Sequence, residues 1–248
     1  MSEPPALMPE NKISVIIPTL NEAQNLAPLL GALRREAEAA EIIVVDGGSR
    51  DDTVAVARAG DARVVACAPG RGRQLSEGAA ASRGEIIVFL HADSVFPAGG
   101  LRRIREALAA SPHLVGGNFR LIFDGDSTFS RALTAVYRWV RKRGLYYGDS
   151  GVFVRRCVYE AVGGIRPIPL MEDYDFTRRL ERFGQTCCIE DPPLITSSRR
   201  FEGRRPLAII WGWLKIHALF HLGVAPERLA RSYYPREKGS ARGPARLS

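Results

Sequence analysis

Four short apolar runs, separated by stretches of helical periodicity, mark the first half of the chain. The apolar runs cover residues 13–17, 42–45, 63–66 and 86–90. They are rich in Val and Ile, which is typical of strands buried on both faces of a parallel sheet. The intervening segments, where apolar positions recur at helical spacing, cover residues 22–40, 51–59 and 74–83. This alternation predicts a doubly wound α/β sheet with right-handed crossovers, and we expect Asn21 and Ser49 to cap the first two helices.

The second half is less regular. Its predicted helices cover residues 101–109, 127–143 and 173–183, the last of them capped by Gly184. Its predicted strands cover residues 115–123 and 151–155, and the second strand runs into a helix that ends at Gly163 and Gly164. Cys187 and Cys188 lie in a further strand-like stretch. Residues 207–224 are apolar around most of a helix circumference, and the sequence from Lys238 onward predicts a frayed tail.

Composition narrows the class of protein. A chain of 248 residues, 46% hydrophobic and 25% charged, is typical of one large globular α/β domain with or without an appendage. Residues 1–12 contain prolines and acids without an apolar run, which argues against a signal peptide. The four cysteines contain no CxxC pair, so neither a disulfide framework nor a zinc site is favoured. A reducing cytoplasm is the simplest expectation.

The charge is concentrated at the C-terminal end. Residues 196–248 hold nine Arg and two Lys against three Glu, a net charge of +8 that equals that of the whole chain. A basic segment of this kind indicates an anionic partner, or it only increases solubility. Nucleic acid is not favoured as that partner, because Tyr233 and Tyr234 are the only aromatic residues that interleave with the arginines. The apolar segment 207–224 includes Lys215 and two histidines, which are costly in a bilayer centre. We expect it to dock on the core or form a homodimer, with peripheral contact at the inner face of the membrane as the alternative.

Candidate chemistry follows the predicted strands, at whose carboxyl ends ligands bind in such sheets. Asp46 ends the second strand, and its carboxylate can accept a hydrogen bond from the imide N–H of a uracil ring. Gly47 and Gly48 then free the backbone for close approach. A capping turn without a ligand explains Asp46 equally well, and Ser49 is first interpreted as a cap.

Asp93 ends the fourth strand. Magnesium takes few protein carboxylates when substrate phosphates and water complete its shell, so one aspartate can suffice. A turn aspartate is the simpler alternative, and we expect His91 to be packed.

Glu172 and Asp173 begin a predicted helix. Acidic side chains in a first helical turn interact favourably with the helix dipole, and this interaction alone would explain Glu172 and Asp173. A carboxylate that faces a hydroxyl group is alternatively a general base.

A glycine-rich segment, residues 69–74, contains Arg71 and Arg73. As a mobile loop it can reach pyrophosphate oxygens, and a surface arginine loop is the alternative. No Gly-Lys-Ser/Thr follows, so it is not a phosphate-binding loop of the NTPase type. A second polar glycine turn, residues 148–151, is expected to line the floor of the cleft.

Together these segments resemble glycosyltransferase family 2, whose members are inverting enzymes with the GT-A fold. The matching stretches are residues 15–22, 42–51, 83–93 and 172–173. The resemblance implies a Rossmann-like GT-A domain, with a mostly parallel sheet flanked by helices, over residues 13–200. Residues 13–110 would form the nucleotide-binding half and 111–200 the acceptor half. The remainder would be an N-terminal tail, 1–12, and a basic C-terminal helical segment, 201–248.

The resemblance also implies roles for single residues. Asp173 would be the catalytic base, Glu172 would assist the acceptor, and Asp93 would bind Mg²⁺ or Mn²⁺ with the donor pyrophosphate. The residues implied in binding the nucleotide sugar are Pro18, Thr19, Glu22, Asp46, Ser49, Arg73 and Ala92. His91 and Gly47 depart from the family pattern, because Asp is usual at the first position and frequent at the second. Residues 197–200, Ser-Ser-Arg-Arg, replace the Gln-x-x-Arg-Trp run of processive synthases, which argues against a polymerising enzyme.

The expected reaction is transfer from a nucleotide-diphosphate sugar, in particular a UDP-sugar, to a small nucleophilic acceptor. Residues 148–151, 165–175 and 198–202 further resemble a compact bacterial subgroup associated with arsenosugar biosynthesis. A membrane-surface transferase with a polyprenyl-phosphate or other lipid acceptor is one alternative. A non-catalytic sugar-nucleotide-binding protein is another, and it is disfavoured because both Asp93 and Asp173 are present.

Overall fold

A computed structural model describes residues 12–36, 40–125, 127–197 and 206–233. Its centre is a sheet of seven strands in the order β3-β2-β1-β4-β6-β5-β7. The strands are β1 (Ile13–Thr19), β2 (Ala40–Asp46), β3 (Arg63–Ala66), β4 (Ile86–Phe89), β5 (Leu114–Phe123), β6 (Val152–Arg155) and β7 (Gln185–Thr196). Only β6 runs against its neighbours β4 and β5 among these pairings. The predicted mostly parallel α/β sheet is therefore confirmed.

Helices cover both faces of this sheet. They are α1 (Ala23–Arg34), α2 (Thr53–Ala59), α3 (Arg71–Ala81), α4 (Gly100–Ala110), α5 (Thr128–Arg141), α6 (Arg156–Ala161), α7 (Glu172–Phe183), α8 (Pro206–His221) and α9 (Pro226–Tyr233). A short 3₁₀ helix spans Gly148–Ser150. The helix predicted over residues 22–40 is too long, because Ala40 already belongs to β2. After Arg34 the chain turns so that the Glu36 carboxylate accepts the N–H groups of Gly99 and Leu101, at 2.7 and 3.0 Å, at the start of α4.

Alternation along the strands sends neighbouring side chains to opposite faces of the sheet. In β1, Ile13, Val15 and Ile17 pack with α1 and α4 in one apolar cluster. Ile16 packs on the other face with α3, α6 and α7. The two clusters hold the sheet between helical layers, so the ends of the strands form a rigid base for the loops that follow them.

The C-terminal helices form a third cluster. Ile216 of α8 and Leu229 of α9 are buried against Leu170, Met171 and Tyr174, at the start of α7. The segment 207–224 therefore docks on the domain along one face. Within the described ranges, no helix has both the length and the apolar content that crossing a bilayer requires.

Candidate active site

A cleft opens at the carboxyl ends of β1 and β4. Its lining comes from the loops after these strands, from the start of α3 and from the segment that leads into α7. The lining residues are Pro18, Thr19, Leu20, Glu22, Arg71, Gln74, His91, Ala92, Asp93, Pro169, Leu170 and Glu172. Six of the ten residues predicted for the site belong to this lining: Pro18, Thr19, Glu22, Ala92, Asp93 and Glu172.

The loops after β1 and β2 are tied to each other by Asn21 and Ser49. The Asn21 N–H donates to Ser49 Oγ, and Asn21 Oδ1 accepts the N–H of Arg50, both at 2.8 Å. Asn21 has φ of +58°, a left-handed conformation that asparagine tolerates. The expectation that Asn21 and Ser49 cap helices is wrong, since Glu22 and Asp52 occupy the N-cap positions. The two side chains instead fix the spacing between the loops.

Asp46 is buried and its carboxylate closes its own loop. Its Oδ2 accepts the N–H groups of Gly48 and Ser49 at 3.0 Å each, and its Oδ1 accepts the Ser49 hydroxyl at 2.5 Å. These bonds orient the glycine turn beside the cleft. Asp46 and Ser49 lie outside the cleft lining, so their contact with a nucleotide stays a prediction.

Gln74 is a buried site residue that the sequence pattern does not single out. Its Nε2 donates to the carbonyl oxygens of Thr19 and Val45, both at 2.8 Å. Because these carbonyls end β1 and β2, one side chain of α3 locks the two strand ends at the rim of the cleft. The signal that could have indicated Gln74 is its position: it is a polar residue on the buried face of a helix.

The glycine-rich segment is a helix start and not a mobile loop. Helix α3 begins at Arg71, and the buried Gly72 packs closely against the carbonyl groups of Arg166 and Ile168. Arg71 lines the cleft, whereas Arg73 is exposed and lies outside the lining. The family resemblance implies Arg73, but the structure places Arg71 beside Glu172 and Asp173.

Glu172 and Asp173 are the first two residues of α7. They directly follow Met171, whose backbone has a left-handed conformation. Arg71 donates to Glu172 through Nε and to Asp173 Oδ2 through Nη2, the latter at 3.3 Å. Asp173 Oδ2 also accepts the N–H of Gly148 at 3.0 Å, and its Oδ1 accepts the N–H of Tyr174 at 2.7 Å.

This environment shifts the pKa values of the two acids in opposite directions. Burial raises the pKa of Glu172, and the charge of Arg71 only partly offsets it. Burial also acts to raise the pKa of Asp173, but Arg71 and the N–H groups of Gly148 and Tyr174 outweigh it, so that the pKa lies below its ordinary value. At neutral pH Asp173 is therefore a carboxylate, the form that can take a proton.

His91 and Asp93 follow β4. His91 is half-buried and lines the cleft, so the expectation that it is packed is wrong. His91 is near enough to Asp173 to contribute to lowering the pKa of that carboxyl. Both side chains border Gly148, where an added Cβ would be 3.4 Å from His91 Nε2 and 3.2 Å from Asp173 Oδ2. Asp93 is also half-buried and lines the cleft. The described part of the chain contains no group of three or more His, Cys, Asp or Glu that could hold a metal ion by itself.

Comparison with known proteins gives related sequences over part of the chain. A glucosyl-3-phosphoglycerate synthase of Mycolicibacterium paratuberculosis is 36% identical over an alignment 96 residues long that covers 34% of this chain and 29% of that protein. An uncharacterized glycosyltransferase of Mycobacterium bovis is 34% identical over 114 residues, 46% of this chain and 51% of that protein. The chain thus matches only about a third to a half of the length of these curated relatives.

Solved structures extend the likeness to most of the fold. Glucosyl-3-phosphoglycerate synthase from Mycobacterium tuberculosis, in complex with Mn²⁺, UDP and glucosyl-3-phosphoglycerate, has a TM-score of 0.59 at 21% identity, covering 87% of this chain and 80% of that one. A mannosyltransferase from Pyrobaculum calidifontis, in complex with GDP-Man and Mn²⁺, has a TM-score of 0.62 at 20% identity, covering 89% and 68%. These likenesses confirm the predicted GT-A fold. The family model that matches is Glycosyl transferase family 2, over residues 14–161. Since that match covers more than half of the sequence, this chain belongs to glycosyltransferase family 2.

Proposed function

We propose that the protein transfers a sugar from a nucleotide-diphosphate sugar, in particular a UDP-sugar, to a small nucleophilic acceptor with inversion at the anomeric carbon. The observation that carries the proposal is the meeting of Asp93, Arg71 and Glu172 in one cleft, with Asp173 directly behind it. The cleft has a cation and a carboxylate that would bind the metal, and the carboxylate beside it would act as the base. Similar structures that contain UDP or GDP-mannose with Mn²⁺ support this assignment.

The donor would lie along the ends of β1, β2 and β4. Pro18, Thr19 and Glu22 would face the uridine, and Ala92 the sugar-phosphate side, since all four line the cleft. Asp46, with Ser49 on the adjoining turn, would accept the uracil imide. Arg73 keeps its predicted role near the phosphates only if the donor reaches the exposed side of α3; Arg71 is the arginine already in the cleft.

The donor set suits Mg²⁺ or Mn²⁺ if substrate phosphates complete the shell. Asp93 provides one carboxylate at the end of β4 and His91 an imidazole two residues before it. Both ions accept few protein ligands next to phosphate oxygens. Asp93 would hold the ion, and the bound ion would supply Lewis-acid stabilisation of charge on the leaving diphosphate.

Asp173 would act as the base. It would take the proton of the acceptor hydroxyl while the acceptor oxygen bonds to the anomeric carbon and the bond from that carbon to the diphosphate oxygen breaks. The N–H groups of Gly148 and Tyr174 fix the carboxylate, and Arg71 holds Glu172 beside it. Glu172 would orient the acceptor. Attack from the face opposite the leaving group inverts the configuration.

A donor screen tests the proposal. Release of free UDP or GDP from several UDP- and GDP-sugars would be measured with Mn²⁺, both with water and with small hydroxy acids as acceptors. Phosphoglyceric acid belongs in the set because the similar synthase binds it. We expect turnover of a UDP-sugar that Asp173→Asn abolishes and Asp175→Asn, in the same helical turn, retains. Absence of turnover with every donor would contradict the proposal.

A membrane-surface transferase with a lipid acceptor is the second candidate, and a homodimer would cover the same surface. One observation favours them: α8 leaves large apolar side chains uncovered, with Trp211 70% and Leu214 59% exposed. If the acceptor is small and the location cytoplasmic, the purified protein should stay in the supernatant with anionic liposomes at physiological salt, where screening extends about 8 Å. Co-sedimentation would favour the lipid acceptor, and a doubled mass in light scattering the dimer.

A further inference from the structure

Two tyrosines flank the groups that hold the Asp173 carboxylate. Tyr147 directly precedes Gly148, whose N–H donates to Asp173 Oδ2, and Tyr174 directly follows Asp173 and donates its own N–H to Oδ1. The rings of Tyr147 and Tyr174 stack with their centroids 6.0 Å apart and an interplanar angle of 23°. The stacked rings are therefore attached to the two stretches of backbone that supply the donors.

Helix α8 contacts each tyrosine through a histidine. Tyr147 Oη lies 3.1 Å from His217 Nε2, and Tyr174 Oη lies 2.9 Å from His221 Nε2. The His217 ring also meets the Tyr174 ring edge to face, with centroids 4.7 Å apart and planes at 89°. The two histidines are one helical turn apart, so one face of α8 carries both contacts.

The direction of the Tyr147 bond follows from its surroundings. Burial, with the nearby His221, lowers the pKa of His217. Its imidazole is therefore neutral at pH 7 and can accept a hydrogen bond at Nε2. Burial, with the nearby Asp173, raises the pKa of Tyr147, so its hydroxyl keeps its proton. Tyr147 therefore donates to His217. A hydrogen bond between two neutral groups in this half-buried setting holds the Tyr147 hydroxyl and the His217 ring at a defined angle as well as a defined distance.

We propose that His217 and His221 are positioning residues for the Asp173 carboxylate, acting through Tyr147 and Tyr174 on the two backbone donors that hold it. The proposal rests on the proposed role of Asp173 as the base. It makes α8 part of the catalytic architecture, although this helix lies outside the family match of residues 14–161. Neither histidine lines the cleft, so neither is expected to touch the substrates.

The test compares the double variant His217→Ala/His221→Ala with Ile216→Val, which trims buried packing on the same turn of α8 and leaves both Tyr–His contacts in place. The first readout is amide hydrogen exchange of Gly148 and Tyr174, which needs no substrate. We expect both amides to exchange about tenfold faster in the double variant, the scale of one lost hydrogen bond, and at the wild-type rate in Ile216→Val. Unchanged exchange in the double variant would overturn the proposal.

The second readout is release of UDP from UDP-glucose with Mn²⁺. The double variant should lose about tenfold in kcat while the KM for UDP-glucose stays within about twofold, and His217→Gln, which can still accept from Tyr147, should recover part of the loss. Equal kcat in wild type and double variant, with Asp173→Asn inactive, would refute positioning and leave the proposed function standing. Normal turnover in Asp173→Asn would instead refute the assigned base. If the double variant does not fold, Tyr147→Phe and Tyr174→Phe replace it, since they remove only the hydroxyls.

Discussion

The guanidinium group of Arg71 donates through Nε to the carboxylate of Glu172, a residue 101 positions further along the chain. The side chain of Glu172 is only 2% exposed and that of Arg71 31%. Because Arg71 begins α3 and Glu172 begins α7, this pair joins the first half of the chain to the segment that carries the proposed base. The pair lies inside the cleft, so it affects both stability and the charge of the site.

Removing the Arg71 cation should make stability strongly dependent on pH. Burial raises the folded-state pKa of Glu172 above its ordinary 4.5, so its contribution to stability is complete below pH 4.5 and is lost as the pH rises through the folded value. Arg71 limits that loss by stabilising the carboxylate. At pH 5 Arg71→Met removes only the pairing with the ionised Asp173, whereas at pH 8 it also leaves Glu172 as an unpaired carboxylate. The loss of stability should therefore be smaller at pH 5 than at pH 8, where it should reach about 1–3 kcal/mol, less than for a fully buried pair because Arg71 is 31% exposed.

Urea unfolding of both proteins across this pH range measures the effect. The double variant Arg71→Met/Glu172→Gln is the control, since it removes the buried titrating group and should flatten the curve. An equal loss of stability at pH 5 and pH 8 in Arg71→Met would show that Arg71 does not act by stabilising the Glu172 carboxylate.

Gly72 marks a second contact of α3 with the loop before α7. A Cβ at this position would lie 2.7 Å from the carbonyl oxygen of Arg166 and 2.8 Å from that of Ile168, and backbone atoms cannot move aside cheaply. Gly72→Ala should cost about 1–3 kcal/mol and weaken UDP binding, because the displaced loop continues into the cleft. In α1, a Cβ on Gly31 would meet only the end of Arg35, at 3.6 Å. Gly31→Ala should therefore be neutral or stabilising by up to about 1 kcal/mol, and thermal melts of the two variants should move in opposite directions.

Local sequence patterns predict much of the fold in the first half of the chain. The four strands of the first half, β1 to β4, follow from short Val- and Ile-rich runs, and the motifs at their ends fall where ligands bind in parallel sheets. Five predicted site residues line the cleft for this reason: Pro18, Thr19, Glu22, Ala92 and Asp93. The ends of helices are less predictable: the Ala- and Glu-rich stretch after Arg34 has helix propensity but no large apolar residue to bury.

Side-chain direction and long-range pairing lie beyond such patterns. Arg71 and Arg73 are equivalent in sequence, and only the start of α3 at Arg71 decides which of them faces the cleft. The pairing of Arg71 with Glu172 joins two segments that no local window contains. The docking of α8 is similar: this helix is apolar around its circumference, so its pattern does not indicate that Ile216 is buried while Trp211 is exposed.

Asp93 can be tested without turnover. Since it is the carboxylate proposed to hold the metal, Asp93→Asn should abolish the gain in UDP affinity that Mn²⁺ produces, while leaving metal-free binding within about twofold. Titration calorimetry of UDP with and without Mn²⁺ measures this gain. Asp61→Asn is the matched control, because Asp61 is 91% exposed and pairs with Arg34 away from the cleft. A full Mn²⁺ effect in Asp93→Asn would place the metal elsewhere.

Asp173→Asn separates catalysis from helix stabilisation. Asparagine keeps the size of the side chain but cannot take a proton, so transfer should fall by at least about a hundredfold while UDP affinity stays within a few-fold. Glu172→Gln should reduce transfer less, mainly through acceptor binding. Asp175 shares the first turn of α7 but pairs with Arg179, at 2.8 Å.

If the acids only favour the helix dipole, Asp173→Asn and Asp175→Asn should each lose about 0.3–1 kcal/mol of stability with transfer intact. If Asp173 is the base, Asp175→Asn alone keeps normal kinetics. Because the pKa of Asp173 lies below its ordinary 3.8, the base stays ionised to low pH. On lowering the pH, kcat should therefore begin to decline only below about pH 4. Steady-state kinetics over pH beside a thermal melt of each variant decides between these roles. An acid limb near pH 6 that survives in Asp173→Asn would assign the base to another group of the cleft.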